Sequence, residues 1–251
     1  MKDPTQRFSD RVEDYIRYRP DYPLAILDLL EQKCGLTSDA VVADIGSGTG
    51  KLAELFLRHG NPVLGVEPNQ AMRQAAESLL RQYPHFTSLD GRSEATPLAD
   101  ASVDFIIAGQ AYHWFEPEPT LKEFARILKP DGWVVLVWNE RDASSPFLAD
   151  YEQMLSSLLP DYATVTHKRL DDSQLQDLLD LKSFQKATFS FKQTFDFSGL
   201  EGRTLSSSYS PQPGQPGHDE LIAALAELFE RHQQNGVLDF DYVTNVYFGQ
   251  P

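Results

Sequence analysis

The sequence predicts an α/β fold: a doubly wound sheet, mostly parallel, with helices on both faces. Three observations carry that prediction. From Val41 to Trp138, short apolar runs of strand length alternate with longer stretches of helical periodicity, the pattern that builds a parallel sheet. One run, Val41-Val42-Ala43-Asp44-Ile45, leads directly into three glycines on alternate positions, Gly46, Gly48 and Gly50, and then into a helical pattern. With 251 residues and 41% hydrophobic residues, the chain can bury one substantial core, so a single domain is expected.

Taken in order, Phe8, Val12, Tyr15 and Ile16 recur at helical spacing, and Pro20 and Pro23 break that helix before a second around Leu24 to Lys33. After the glycine turn, Leu52, Leu55 and Phe56 mark a helix, and Pro62 to Glu67 a second strand. Met72, Ala75, Ala76, Leu79 and Leu80 form the next helix, with Asn69 as its N-cap, and a further strand starts at Phe86. Asp104 to Gly109 reads as a fourth buried strand. Leu121, Phe124 and Leu128 mark a helix stopped by Pro130 and Asp131-Gly132, before a fifth strand from Trp133 to Trp138.

From Asn139 the pattern changes. Phe147 to Leu159 and Leu175 to Leu181 read as helices, the second with a capping box at Asp171 and Gln174, and together they suggest a helical substrate cap. Ala187 to Phe197 alternates as a long strand, and Tyr209 to Gly217 is a Pro/Gly-rich loop. A helix carrying Leu221, Leu225 and Leu228 then precedes a last strand from Val243 to Gly249. No internal repeat is visible.

A formal charge of −15 argues against a protein that grips a phosphate backbone, because such affinity comes from Lys and Arg releasing counterions. Nucleic acid is therefore not the expected partner. The opening Met1-Lys2-Asp3-Pro4-Thr5-Gln6-Arg7 is not of signal-peptide type, and no uncharged stretch reaches membrane-spanning length. Cytoplasm is the expected compartment, with no membrane partner. One cysteine, Cys34, makes no intramolecular disulfide, and no Cys/His cluster suggests a metal. Oligomeric state is left open, a monomer being compatible.

Spacing narrows what the glycine turn can hold. A phosphate-binding P-loop would need a glycine at Ile45 and a hydroxyl at Leu52, and a dinucleotide fingerprint would need a small residue at Lys51. Both fail. What stands is D-x-G-x-G-x-G, whose Asp44 would repel a pyrophosphate and attract an ammonium group. Glu67 follows Gly46 by 21 residues, the separation at which a carboxylate on the neighbouring strand meets two ribose hydroxyls.

The stretch Asp44 to Gly50 with Glu67-Pro68-Asn69 resembles the first two motifs of the class I S-adenosylmethionine-dependent methyltransferases. Gln110-Ala111-Tyr112-His113-Trp114-Phe115, Arg126 to Trp133, and Tyr15 with Tyr18-Arg19-Pro20-Asp21-Tyr22-Pro23 are similar to a small-molecule branch that includes trans-aconitate-methyltransferase-like proteins. The resemblance spans about residues 8 to 142. It implies a Rossmann-like sheet ending in an antiparallel hairpin strand. It also implies a helical N-terminal cap over residues 1–36, a cofactor core over 37–141, the substrate cap over 142–183 and the C-terminal strands and helix over 184–251.

By the same resemblance S-adenosyl-L-methionine is the cofactor, held by Asp44, Gly46, Ser47, Gly48, Gly50 and Glu67, with Gln110 lining the pocket. Tyr18 and Arg19 would close it, Arg19 pairing with the methionine carboxylate. Many relatives place an acid against the adenine amino group where this chain has Arg92, which leaves Ser93 or backbone groups for that contact. Tyr15 and Trp114 are assigned to the acceptor. The expected reaction is methyl transfer to a small-molecule acceptor by in-line displacement, for which positioning alone supplies ~7 to 11 kcal/mol. His113, just beyond a strand that ends at the crevice, is the candidate base, and Tyr112 the alternative donor. Two other functions compete: a non-catalytic sensor of the cofactor or of S-adenosylhomocysteine, and an NAD-dependent oxidoreductase.

Overall fold

The computed structural model describes residues 16–160, 162, 182–207 and 209–251. Seven strands form one sheet: β1 (Val42–Ile45), β2 (Val63–Val66), β3 (Phe86–Leu89), β4 (Val103–Gly109), β5 (Leu128–Arg141), β6 (Lys182–Phe195) and β7 (Leu238–Gln250). Their order is β3-β2-β1-β4-β5-β7-β6. The first five run parallel, and β7 lies antiparallel between β5 and β6. The winding reverses between β1 and β4, so a crevice opens outside the carboxyl ends of those two strands. The doubly wound sheet with its terminal hairpin is as expected from the sequence.

Helices cover both faces because each has one apolar stripe. α1 (Ala25–Cys34) and α2 (Lys51–His59) pack Ile26, Leu30, Leu52 and Phe56 against Val42, Phe105, Val135 and Val137. On the other face, α4 (Pro117–Ile127) sets Phe124 and Ile127 against Ala43, Ile45, Ile106 and Leu136. Between β2 and β3 runs α3 (Gln70–Leu79), whose N-cap is Asn69: its side chain accepts from the Met72 amide at 3.1 Å. A third core lies beyond the sheet's main body. There α5 (Pro146–Leu158), α6 (Phe197–Leu205) and α7 (His218–His232) pack Leu148, Tyr151, Leu200, Leu221 and Leu225 against Phe240 and Tyr242 of β7.

Several boundaries differ from the sequence expectation: the last strand begins at Leu238 rather than Val243, and the fifth ends at Arg141 rather than Trp138. The helix expected to include Leu128 ends at Ile127, and β5 starts at Leu128 and runs through Pro130 and Gly132. A register irregularity between Val103 and Phe105 absorbs the extra residues, since Leu128 pairs with Val103 and Trp133 with Phe105. The strand begun at Ala187 in the sequence reading begins at Lys182 and ends at Phe195, where Asp196 caps α6 by accepting from the Gly199 amide at 2.8 Å. That helix was not expected, because Gly199 and Gly202 weaken its periodicity; a Cβ on Gly202 would run into the Tyr18 ring.

Of the first expected helix, only residues 16–18 are described, and they are helical; Phe8, Val12 and Tyr15 lie outside the described residues. So do the expected helix at Leu175 to Leu181 and its capping box. No helix among the described residues is long and apolar enough to cross a membrane.

Candidate active site

At the end of β1 the chain turns through three left-handed glycines, Gly46 (φ 71°), Gly48 (φ 56°) and Gly50 (φ 82°). Packing explains two of them. A Cβ on Gly46 would stand 2.7 Å from the Ala111 Cβ, and one on Gly50 would stand 2.5 Å from Leu80 Cδ1. Gly48 has nothing within 4 Å of that position, so the turn presents an open side there. The Gly46 and Ser47 amides donate to the Val66 carbonyl at 2.8 and 3.2 Å, which ties the turn to β2. Ser47 Oγ rests over Gly65, 3.1 Å from where a Cβ would be.

Glu67, one residue past β2, accepts from the Gly48 amide at 3.0 Å and from the Asn69 amide at 2.8 Å. Burial raises its carboxyl above the ordinary value, and those two amides offset part of the rise. Asp44 is 1% exposed, and neither carboxylate oxygen has a hydrogen-bond partner among the described residues. Burial pushes it up to about 8; the nearby Ala53 amide works against this, and the charge of Glu67 adds to it. Two desolvated carboxylates thus flank the open glycine, a setting that favours a ligand with an ammonium group and hydroxyls.

Across the crevice, Gln110 follows β4 with a left-handed backbone (φ 56°), a conformation that costs ~1 to 3 kcal/mol and marks a constrained position. Its Nε2 donates to the Asn139 carbonyl at 2.7 Å. Tyr112, His113 and Trp114 form a 3-10 turn next to it. The Tyr112 ring is buried and meets Phe115 edge-on at 5.6 Å. Its hydroxyl has no hydrogen-bond partner among the described residues, and burial pushes its pKa up to about 12, so it is a neutral donor. His113 is half-buried, with its ring 4.7 Å from that of Trp114.

The structure therefore brings Asp44, Gly46, Ser47, Gly48, Gly50 and Glu67 together, with Gln110, Tyr112, His113 and Trp114 following the next strand. Ser93 is differently engaged. Its hydroxyl donates to Glu94 at 2.7 Å and accepts from Thr120 at 3.2 Å, and Glu94 also accepts from the Glu116 amide at 3.1 Å, so this group ties the loop to α4. Tyr18 packs its ring on Gly202, and Arg19 Nη2 donates to the Ser206 carbonyl at 3.1 Å. Tyr15 lies outside the described residues.

Sequence reasoning missed the residues that strap this N-terminal segment across the crevice. Asp21 meets Lys51 Nζ at 2.7 Å at the start of α2, and its carbonyl accepts from Asn139 Nδ2 at 3.1 Å. The Tyr22 hydroxyl lies over Gly109, 2.5 Å from where a Cβ would be. Asn139 also accepts from Thr244 Oγ1 at 2.7 Å, joining β5, β7 and the strap. Its one local signal was a polar residue directly after the apolar run of the fifth strand.

Comparison with known proteins finds similarity to methyltransferases. Residues 43–136 match a family model described as a methyltransferase domain. An uncharacterized methyltransferase of Schizosaccharomyces pombe is 34% identical over 96% of this chain and 95% of its own length. An uncharacterized methyltransferase of Mycobacterium tuberculosis is 37% identical over 56% of this chain and 55% of its own. Among solved structures, a protein of Anaeromyxobacter dehalogenans provisionally named a Type II methyltransferase superposes with a TM-score of 0.66 at 19% identity, covering 93% of this chain and 98% of that one. Phosphoethanolamine N-methyltransferase 2 of Haemonchus contortus, solved with S-adenosyl-L-methionine, gives 0.59 at 14% identity over 99% of this chain and 59% of that one.

Proposed function

The chain belongs to the class I S-adenosylmethionine-dependent methyltransferases, and from that premise we propose that it methylates a small-molecule acceptor by in-line displacement. The observation that carries the reading is Asp44, a buried carboxylate with no hydrogen-bond partner among the described residues, beside the open face of Gly48. S-adenosyl-L-methionine, when bound, supplies a methyl group on a sulfonium leaving group. Asp44 offers charge to its ammonium, Glu67 accepts from its ribose hydroxyls, and Gly46, Ser47, Gly48 and Gly50 let the backbone approach closely.

The remaining residues complete the cofactor pocket or act on the acceptor. Gln110, held to Asn139, shapes the wall of the crevice, and Tyr18 and Arg19 belong to the segment that closes over it. His113 takes a proton from an acceptor that carries one or orients its oxygen, Tyr112 donates, and Trp114 excludes water; a carboxylate acceptor needs no base. Net charge supports a small acceptor, because −15 opposes nucleic acid. We place the protein in the cytoplasm as a single domain, with residues 1–36 capping a core over 37–141 and residues 142–183 facing the acceptor.

Calorimetry with S-adenosyl-L-methionine and NAD side by side tests the cofactor. Binding of the first alone is expected, and binding of NAD alone would overturn the assignment. A methyl-donor screen against pooled metabolites then identifies the acceptor. Transfer to RNA or protein, with no metabolite methylated, would end the small-molecule reading.

A further inference from the structure

Away from the glycine turn the protein buries a second group of charges. Arg141, the last residue of β5, has a side chain 9% exposed, and Arg203 in α6 is 4% exposed. Arg141 donates through Nε to Glu152, through Nη1 to the Tyr209 hydroxyl at 3.0 Å, and through Nη2 to the Tyr162 hydroxyl. Arg203 donates through Nε to the Tyr242 hydroxyl at 2.8 Å and through Nη1 to Ser207 Oγ at 3.4 Å, with its Cζ 5.3 Å from the Phe240 ring. Tyr151 lies between them, its ring 5.5 Å from Arg141 Cζ and its hydroxyl 2.9 Å from Thr204 Oγ1.

Among the described residues the charges of this cluster do not balance. Among the described residues, Glu152 is the one carboxylate hydrogen-bonded to either guanidinium, and Nη2 of Arg203 makes no hydrogen bond. Burial works against both positive charges, yet Tyr209, Tyr151, Tyr162 and Glu152 hold Arg141 well above its ordinary value, and Tyr242, Tyr151 and Tyr209 raise Arg203. Glu152 answers Arg141, and Arg203 has no carboxylate hydrogen-bonded to it among the described residues, a cost that a native fold tolerates where a ligand answers the charge.

Position connects the cluster to the crevice. Val137 is level with Gly109, so Arg141 stands four residues of strand, about 13 Å, beyond the end of β4, at the same carboxyl end of the parallel strands as the glycine turn. The Ser206–Ser207 turn that Arg203 reaches also receives Arg19, and two residues on, Asp21 meets Lys51 at the start of α2. One strap therefore runs from the turn beside Arg203 to the start of the helix that follows the glycine turn.

We propose that this cluster is an oxyanion-binding subsite, in which Arg203 and Arg141 receive a carboxylate or phosphate group carried by the methyl acceptor. This rests on the methyltransferase reading above and adds the chemical class of the acceptor. A guanidinium has five N–H donors in a planar fork, and three of the five are engaged at Arg141, which leaves donors suited to an oxyanion. Tyr209 is the internal competitor. Burial alone would raise its phenol, but Arg141 and Arg203 outweigh that and lower it. When Tyr209 ionises it supplies the missing negative charge itself, so a bound oxyanion is expected to be released as the solution turns alkaline.

Calorimetry on the full chain with succinate and with inorganic phosphate, at constant ionic strength set by chloride, tests the subsite. Saturable binding of at least one is expected, weakening in mildly alkaline buffer, and Arg203→Met is expected to lower that affinity about tenfold or more. Succinate alone binding assigns a carboxylate, phosphate alone a phosphate group. Should Arg203→Met fail to fold, Tyr209→Phe decides: it keeps both cations and is expected to retain the anion into alkaline buffer. No binding of either anion, unchanged binding in a folded Arg203→Met, or wild-type alkaline release from Tyr209→Phe overturns the proposal. S-adenosyl-L-methionine titrated into the same samples separates the two readings, because its binding without any anion binding leaves the methyltransferase assignment standing and removes only the subsite.

Discussion

Among the described residues, two carboxylates at the glycine turn, buried Asp44 and half-buried Glu67, have no cationic side chain hydrogen-bonded to either, and of the two buried guanidiniums at the far end of β5 only that of Arg141 meets a carboxylate, Glu152. The carboxyl end of the parallel strands therefore carries two desolvated charge groups that, among the described residues, are unbalanced in opposite senses. The acidic one is built within a single strand-turn-helix unit and its neighbouring strand. The basic one is assembled from β5, α5, α6, β7 and the turn after α6. A cofactor with an ammonium group suits the first, and an acceptor with an acid group suits the second. The difference teaches that the two halves of a transfer site can be recognised by the charge each lacks.

Substitutions in one half should leave the other intact. Gly48→Val should have the largest effect, because a β-branched side chain would fill the open face and penalise φ 56°. At a hundred times Kd, S-adenosyl-L-methionine should stabilise the wild type by ~2.7 kcal/mol and the variant not at all, as thermal unfolding would show. An equal rise in midpoint would remove the glycine turn from the site.

Asp44→Asn should come next, and with opposite signs for stability and binding. The folded carboxyl titrates near 8 and the unfolded one near 3.8, so the folded state holds the extra proton between those values. Stability contributed below the lower value is lost as pH rises through the window, by ~1.4 kcal/mol for each unit of displacement. The amide escapes that loss, so the ligand-free variant should gain a few kcal/mol on the wild type between acid and mildly alkaline buffer while binding the cofactor more weakly. Parallel pH profiles for the two proteins would show that Asp44 is already neutralised by another group.

His113→Ala probes the ground between the two halves. If the imidazole serves the acceptor, turnover should fall by ~10² while cofactor affinity stays the same. Full turnover would confine His113 to packing beside Trp114. Glu67→Ala should be milder, weakening cofactor binding by ~1.5 to 3 kcal/mol through the loss of a charge-assisted acceptor. Anion binding at Arg203 should not change in that variant; a coupled loss at both ends would mean that the two groups act as one.

Legibility followed sequence distance. Asp44, Gly46, Gly48, Gly50 and Glu67 fall within 24 residues, and a buried strand, a turn needing positive φ and a capped helix each leave a local mark. The cap at Asn69 was visible for the same reason. Leu128 was misplaced because an apolar residue at helical spacing also fits the first position of a strand, and pairing with Val103 decided between them. The helix at Phe197–Leu205 was hidden by its two glycines, one of which is small because Tyr18 lies against it.

By itself, then, the sequence determined the order of strands and helices through residue 138, the identity of the acidic corner and the spacing to Glu67, since each depends on neighbours a few residues apart or on one strand-to-strand step. Only the tertiary structure decided that Ser93 is taken up by Glu94 and Thr120, that Arg19 reaches Ser206, and that Asn139 joins Gln110 to Asp21. It alone brought Arg141, Arg203 and Tyr209 into one cluster. Those side chains are separated by up to 68 residues, and no periodicity links them. Their meeting depends on how β7 and its flanking helices pack against the end of β5, where burial converts ordinary arginines and tyrosines into a charge group with one anion too few.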